Sequence, residues 1–255
     1  MTLSLSAPFV VALALAFVRS LAWVSICPPF SNSSIPRMTK IAFAGALALF
    51  AAGRLQHAPL PHSDAQVLVQ IVVQAVVGVV LGYVVSLFVT TVVGAGRLID
   101  LFSGLNLPQA IDPLSLLQAS VFGQFYNLVL TALLFTSGAV IVIVAGFVRS
   151  FTAVGTNFPP TALSSLAQVI TSDVVTFFAA AVEIAAPLIA VLFCTQIVLA
   201  LLSKAAPQIN VFIFGMPLQI VMALIGVSVA IVALPNDVVT LVARAMSQLF
   251  GGSGG

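Results

Sequence analysis

The sequence predicts an all-α, polytopic membrane protein of about six long, kinked hydrophobic helices arranged as helical hairpins. Two observations carry this. Apolar residues make up 61% of the chain and charged residues 5%, against roughly 25% charged in an average soluble domain. The few charges are also segregated. None falls between Asp64 and Arg97, between Asp112 and Arg149, or between Lys204 and Asp237. Each of these stretches exceeds the about 20 apolar residues that a helix needs to cross a bilayer.

The candidate helices cover roughly residues 5–26, 39–53, 66–93, 119–147, 174–203 and 211–234. The first has no basic leader before its apolar run and meets Arg19 late, so it reads as a retained helix rather than a cleaved signal. The second is short for a full crossing. The third, fourth and fifth are long enough to tilt or project beyond a bilayer. On the third, Gly78 and Gly82 form a small-xxx-small step that lets another backbone approach closely, within this chain or from another subunit. Gln70 and Gln74 share one face of the same helix, and buried amides need partners. Ser172 and Asp173 suit the cap of the fifth helix. Glu183, ten residues further on, must be paired, neutral or wet; Arg19 is its candidate cationic partner by depth, and a proton-coupling acid is the alternative reading. Residues 1–250 read as one membrane domain with no linker long enough to divide it. Residues 251–255, G-G-S-G-G, have linker composition and carry no functional weight.

Two connections are unusual. Ser103, Gly104, Leu105, Asn106, Leu107, Pro108, Gln109, Ala110, Ile111, Asp112 and Pro113 combine helix breakers with apolar side chains. Non-helical apolar backbone at membrane depth is tolerated only inside protein or along a cavity. The segment is therefore an interhelical loop or a re-entrant plug. The second connection, Lys204 to Leu218, spends two prolines, a glycine and two amides where a plain hairpin needs only a polar turn. Pro207 stops the preceding helix. Gln208 and Asn210 can satisfy freed backbone groups, and Gly215 and Pro217 would kink the next helix. Residues 154–165 read as an exposed polar, Pro-rich loop.

Composition and motifs also argue against several classes. A net charge of +2 without a basic cluster gives no ground for nucleic-acid binding. Cys27 and Cys194 have no motif around them and read as buried free thiols. His57 and His62 lack ligand spacing, and no Walker-type phosphate loop occurs, so no metal, cofactor or enzymatic activity is expected. A secondary transporter would need an internal repeat and a midplane polar cluster, and residues 1–117 and 118–234 show no convincing repeat. Basic residues do not set topology: Arg37, Lys40, Arg97 and Lys204 fall on one side, Arg54, Arg149 and Arg244 on the other.

Four motifs in register resemble the family of flagellar biosynthetic protein FliR and its injectisome counterpart SctT. Ala206-Pro207-Gln208, Asn210, Phe212, Gly215 and Pro217 match its A-P-Q-x-N-x-F-x-x-G-x-P hallmark. Ala186-Pro187-Leu188-Ile189, followed by Leu199–Leu202, looks like its A-P-hydrophobic helix. Cys27-Pro28-Pro29-Phe30 and Ile35-Pro36-Arg37 through Lys40 look like its P-x-F and I-P-x-R-x-K element. Ala95-Gly96 to Asp112-Pro113 resembles its A-G-E-x-I-G … D-P segment. Order and spacing hold over roughly residues 7–234. This chain departs from the pattern at Arg97, where many members carry Glu, and at Asp100, where they carry Gly. The two are three apart on a helical turn, so they can pair with each other, and an acidic group is kept but shifted by about a turn.

The resemblance implies a core subunit of the type III export gate in the bacterial inner membrane and flagellar basal body. It implies a single copy assembled with FliP-like and FliQ-like subunits and an FlhB-like switch protein around a conduit for unfolded export substrates. It implies a plug loop at 103–113, and energy from a separate ATPase and the proton gradient. The flagellar branch is the better match, with the injectisome form as the nearest rival.

Overall fold

The computed structural model describes residues 7–55, 64–105, 120–153, 163–206, 208 and 211–250. Among these, seven α-helices occur and no strand: α1 (Ala7–Ile26), α2 (Arg37–Leu55), α3 (Asp64–Ser103), α4 (Val121–Thr136), α5 (Ala139–Ala153), α6 (Leu163–Ala205) and α7 (Val211–Phe250). Four carry stretches long and apolar enough to cross a membrane: Phe9–Ile26, Ala65–Ser103, Val174–Ala205 and Ile213–Val232. The α4–α5 pair makes a fifth if counted as one span. The chain divides into two compact units, one of Met1–Leu87, Gly138–Val174 and Ala245–Gly255, the other of Phe88–Ser137 and Val175–Arg244.

In the first unit α1 buries Phe9, Ala12, Leu15, Ala16, Arg19 and Trp23, a stripe at three- and four-residue spacing. Against α1 lies α2, which buries Ala44, Ala48, Ala51 and Ala52, side chains small enough for close approach. The Pro28-Pro29-Phe30 connection is a packing element. Phe30 sits between Trp23 (ring centroids 5.7 Å apart) and Phe43 (4.9 Å), while Trp23 stacks on Phe147 of α5 at 4.3 Å. Lys40 Nζ donates to Ser31 O at 2.9 Å and closes the same turn.

In the second unit α4 buries Phe122, Tyr126, Leu130 and Leu134 at strict four-residue spacing. Leu188 of α6 fills the space beside Gly226 of α7, where a Cβ would strike its Cδ1. These two residues lie at nearly equal sequence distance on either side of Gln208, as an antiparallel helical hairpin requires.

The elements differ from the expected ones in three ways. The single helix expected over 119–147 is two, because Gly138 adopts φ +74° after Ser137 and ends α4. Helix α3 runs through Ala95-Gly96 to Ser103 and stops where Gly104 takes φ +78°. Helix α6 starts at Leu163, ahead of Ser172 and Asp173, so those two lie inside the helix and do not cap it. It also contains Pro187, as α7 contains Gly215 and Pro217.

Candidate functional site

The most elaborate polar joint lies at the C-terminal end of α3, in the second unit. Asp100 is fully buried. Its carboxylate accepts hydrogen bonds from Ser120 Oγ, from the Phe122 N–H at 3.1 Å and from the Gly123 N–H at 3.4 Å. The first N–H groups of a helix have no intrahelical acceptor, and the helix dipole favours an anion there. Asp100 of α3 thus serves the N-terminus of α4. Ser120 is the N-cap, its Oγ accepting from Gly123 N at 2.9 Å.

Gly96, one turn before Asp100 on the same face, makes this approach possible. A Cβ there would lie 2.6 Å from Phe122 O and 2.7 Å from Gly123 Cα, both backbone atoms with no room to yield. At the other side, Gln196 Nε2 of α6 donates to Phe102 O at 2.9 Å and serves one of the last carbonyls of α3. Ser103 Oγ donates to Asp100 O at 3.1 Å. The joint holds the described start of the candidate plug and links it to Ser120, seven residues beyond the segment. Ser103 ends α3, and Gly104 and Leu105 follow half-buried. Asn106, Leu107, Pro108, Gln109, Ala110, Ile111, Asp112 and Pro113 lie outside the described residues.

The expected Arg97–Asp100 pair is corrected by this geometry. Asp100 and Gly96, four apart, share the face packed on α4, whereas Arg97 is turned outward and exposed. The set of candidate buried charges divides accordingly: Arg19 and Asp100 are fully buried, Arg97 and Glu183 exposed on this chain. Arg19 has other partners than Glu183. Its Nε donates to Gln74 Oε1 at 2.6 Å, its Nη1 donates to Ser150 O at 3.2 Å, and its guanidinium lies 4.5 Å from the Phe151 ring centroid. An α3 amide and an α5 carbonyl reach it within the first unit. These two acceptors take its Nε and Nη1 donors, and the ring face receives the cation.

Gly78 and Gly82 pack within this chain, against α1. A Cβ on Gly78 would strike Arg19 O and come within 2.9 Å of Ala22 Cβ. One on Gly82 would lie 3.1 Å from Trp23 O and 3.2 Å from Ile26 Cβ. At the hairpin joint, Ala206 N–H donates to Leu202 O at 2.8 Å as α6 ends, and Gln208 sits exposed in the turn. Pro207 and Asn210 lie outside the described residues. Within α7, Gly215 is buried and Pro217 exposed. Of the two thiols, Cys27 is buried, and burial pushes its pKa up, but Cys194 is exposed on α6, contrary to expectation.

Sequence reasoning missed the α3–α4 joint, although Ser120 stood at the expected start of a helix, where serine is an N-cap signal. It had no signal for the closeness of Gly96, and although it singled out Gln74 as an amide in need of a partner it could not name Arg19, since both depend on which helix lies opposite. No group of three or more potential metal ligands occurs among the described residues.

Long apolar helices, with polar side chains spent on helix ends and helix crossings, define a polytopic α-helical membrane protein. The chain belongs to the family of bacterial export proteins, family 1, which matches it over residues 10–245. It is 28% identical to the flagellar biosynthetic protein FliR of Bacillus subtilis (strain 168), covering 88% of this chain and 89% of that protein. It is 27% identical to FliR of Aquifex aeolicus (strain VF5), covering 92% and 90%. The surface presentation of antigens protein SpaR of Shigella sonnei is 29% identical over 51% of this chain and 49% of its own length.

Proposed function

We propose that this chain is the FliR-type subunit of a flagellar protein export gate in the bacterial inner membrane, at the flagellar basal body. One observation carries the flagellar reading. The FliR relatives match nearly end to end, whereas SpaR matches along only about half of its length. The subunit is structural and conductive and makes or breaks no bond. One copy joins FliP-like and FliQ-like subunits and an FlhB-like switch protein around a conduit for unfolded export substrates. The segment 103–113 serves as a plug that narrows the conduit. Its support is the apolar, breaker-rich sequence and the joint that holds its described start at Ser103.

The test is deletion of the gene with plasmid complementation, and purification of the tagged chain in mild detergent with mass spectrometry of what accompanies it. The proposal expects loss and recovery of motility, and a defined complex with FliP-like and FliQ-like proteins. A stable homodimer without them would sink it. The SpaR similarity keeps one alternative specific: intact motility with lost effector secretion would assign the chain to an injectisome.

A further inference from the structure

The last turn of a helix is ordinarily its loosest, because its final carbonyls have no partner within the helix. The last turn of α3 is held from two sides instead. On one side the Asp100 carboxylate accepts from Ser120 Oγ and from the N–H groups of Phe122 and Gly123, at the start of α4. On the other, Gln196 Nε2 of α6 donates to Phe102 O at 2.9 Å. Within the turn, Ser103 Oγ ties back to Asp100 O. Directly after Ser103, Gly104 takes φ +78° and the chain leaves the helix.

Capping α4 does not by itself call for the carboxylate. Ser120 is the N-cap, and its Oγ already accepts from Gly123 N at 2.9 Å. One such side chain is the usual N-cap, and a fully buried carboxylate is a costly addition to it. What Asp100 contributes beyond the cap is a bridge between residues twenty apart in sequence, from the turn where the segment 103–113 begins to the helix that follows it. Gly96 sets the closeness of that bridge, since a Cβ there would lie 2.6 Å from Phe122 O.

We infer that Asp100 is the positioning residue of the plug: its carboxylate fixes where the segment 103–113 leaves α3 relative to α4, and through that the tightness of the seal. The inference rests on the plug reading proposed above. Gln196 is the second, weaker tether, a neutral bond from a half-buried amide against three bonds to a buried anion. An apolar constriction seals by excluding water, so a root free to shift lets water in even when every residue of the segment is unchanged.

The experiment measures the ion conductance of the assembled complex in planar bilayers, after its subunit composition has been checked. Leak follows the fraction of time the root is released. Asp100→Ala should therefore raise mean conductance at least about tenfold, with the Leu105–Ala110 deletion as its ceiling. Asp100→Asn keeps an acceptor oxygen for the α4 amides and should restore most of the seal. Gln196→Leu frees Phe102 O from the other side and should leak less than Asp100→Ala. In the deletion background Asp100→Ala should add nothing, because no plug is left to misplace. A residue that merely stabilised the fold would add the same leak there, and that result overturns the inference. So does an assembled Asp100→Ala complex as tight as wild type, or an equal leak from Asp100→Ala and Asp100→Asn. If Asp100→Ala fails to assemble, Gln196→Leu decides: a leak supports the inference, and a wild-type seal or lost assembly overturns it. The plug reading is judged separately, by the deletion alone. A tight deletion complex sinks that reading, whereas a leaky deletion beside a tight Asp100→Ala sinks only the role of Asp100.

Discussion

Removing the Asp100 carboxylate should open the start of α4 and leave the rest of the protein nearly untouched. In Asp100→Ala the Phe122 N–H, now bonded at 3.1 Å, loses its acceptor in a buried position, at a cost of about 1–3 kcal/mol. Ser120 Oγ loses an ionised acceptor, a bond worth about 1.5–3 kcal/mol. Gly123 N–H loses little, because it keeps Ser120 Oγ at 2.9 Å. The sum is about 2.5–6 kcal/mol. Asp100→Asn keeps one acceptor oxygen and an amide that can meet the Ser120 hydroxyl, so about 1 kcal/mol is expected. Local opening follows these free energies, with a factor of ten for each about 1.4 kcal/mol. Hydrogen exchange of the assembled protein should therefore speed up at least about sixtyfold in the peptide that begins α4 in Asp100→Ala. The rise should be about fivefold in Asp100→Asn, with peptides from α1 unchanged in both. Unchanged exchange at the start of α4 in Asp100→Ala would refute the joint. An equal rise in both variants would show that the carboxylate's particular acceptors do not matter.

Four other outcomes are expected. Gly78→Val drives a side chain onto Arg19 O and Ala22 Cβ and should cost about 1–3 kcal/mol of thermal stability. Gly45→Ala, with only Phe17 Cε2 at 3.9 Å, should be neutral in the same melting assay. Deleting Leu105–Ala110 should leave an assembled complex that leaks small ions, and Ser at Leu105 and Leu107 should leak less, since an apolar constriction seals by excluding water; conductance equal to wild type in the assembled deletion ends the plug proposal. In the dissociated, folded chain, maleimide should label exposed Cys194 rapidly and Cys27 only on unfolding. Burial holds the Cys27 thiol protonated and out of reach, and its Sγ donates to Pro28 O at 3.3 Å.

Much of this protein was legible from the chain alone, because the bilayer is a severe solvent. Long uncharged runs in a chain with few charges admit only helices that satisfy their own backbone. The Lys204–Leu218 joint and the other register-specific motifs pointed to the export family. That Gly78 and Gly82 mark a close approach was equally plain, since nothing else explains two missing side chains four residues apart. Their partner was not, and only the fold assigns α1 to them. The same limit governed the charges. Sequence neighbours suggested that Arg97 should pair with Asp100, and helix depth suggested Arg19 for Glu183. Three-dimensional packing instead turned Asp100 to the N-terminus of α4 and Arg19 to Gln74 and Ser150. The break at Ser137-Gly138 was hidden too, because a glycine is silent about its φ until neighbouring helices fix where the chain must turn. Spacing along one helix determines which residues share a face, whereas the identity of what meets that face is decided by residues distant in the chain, through the tertiary fold.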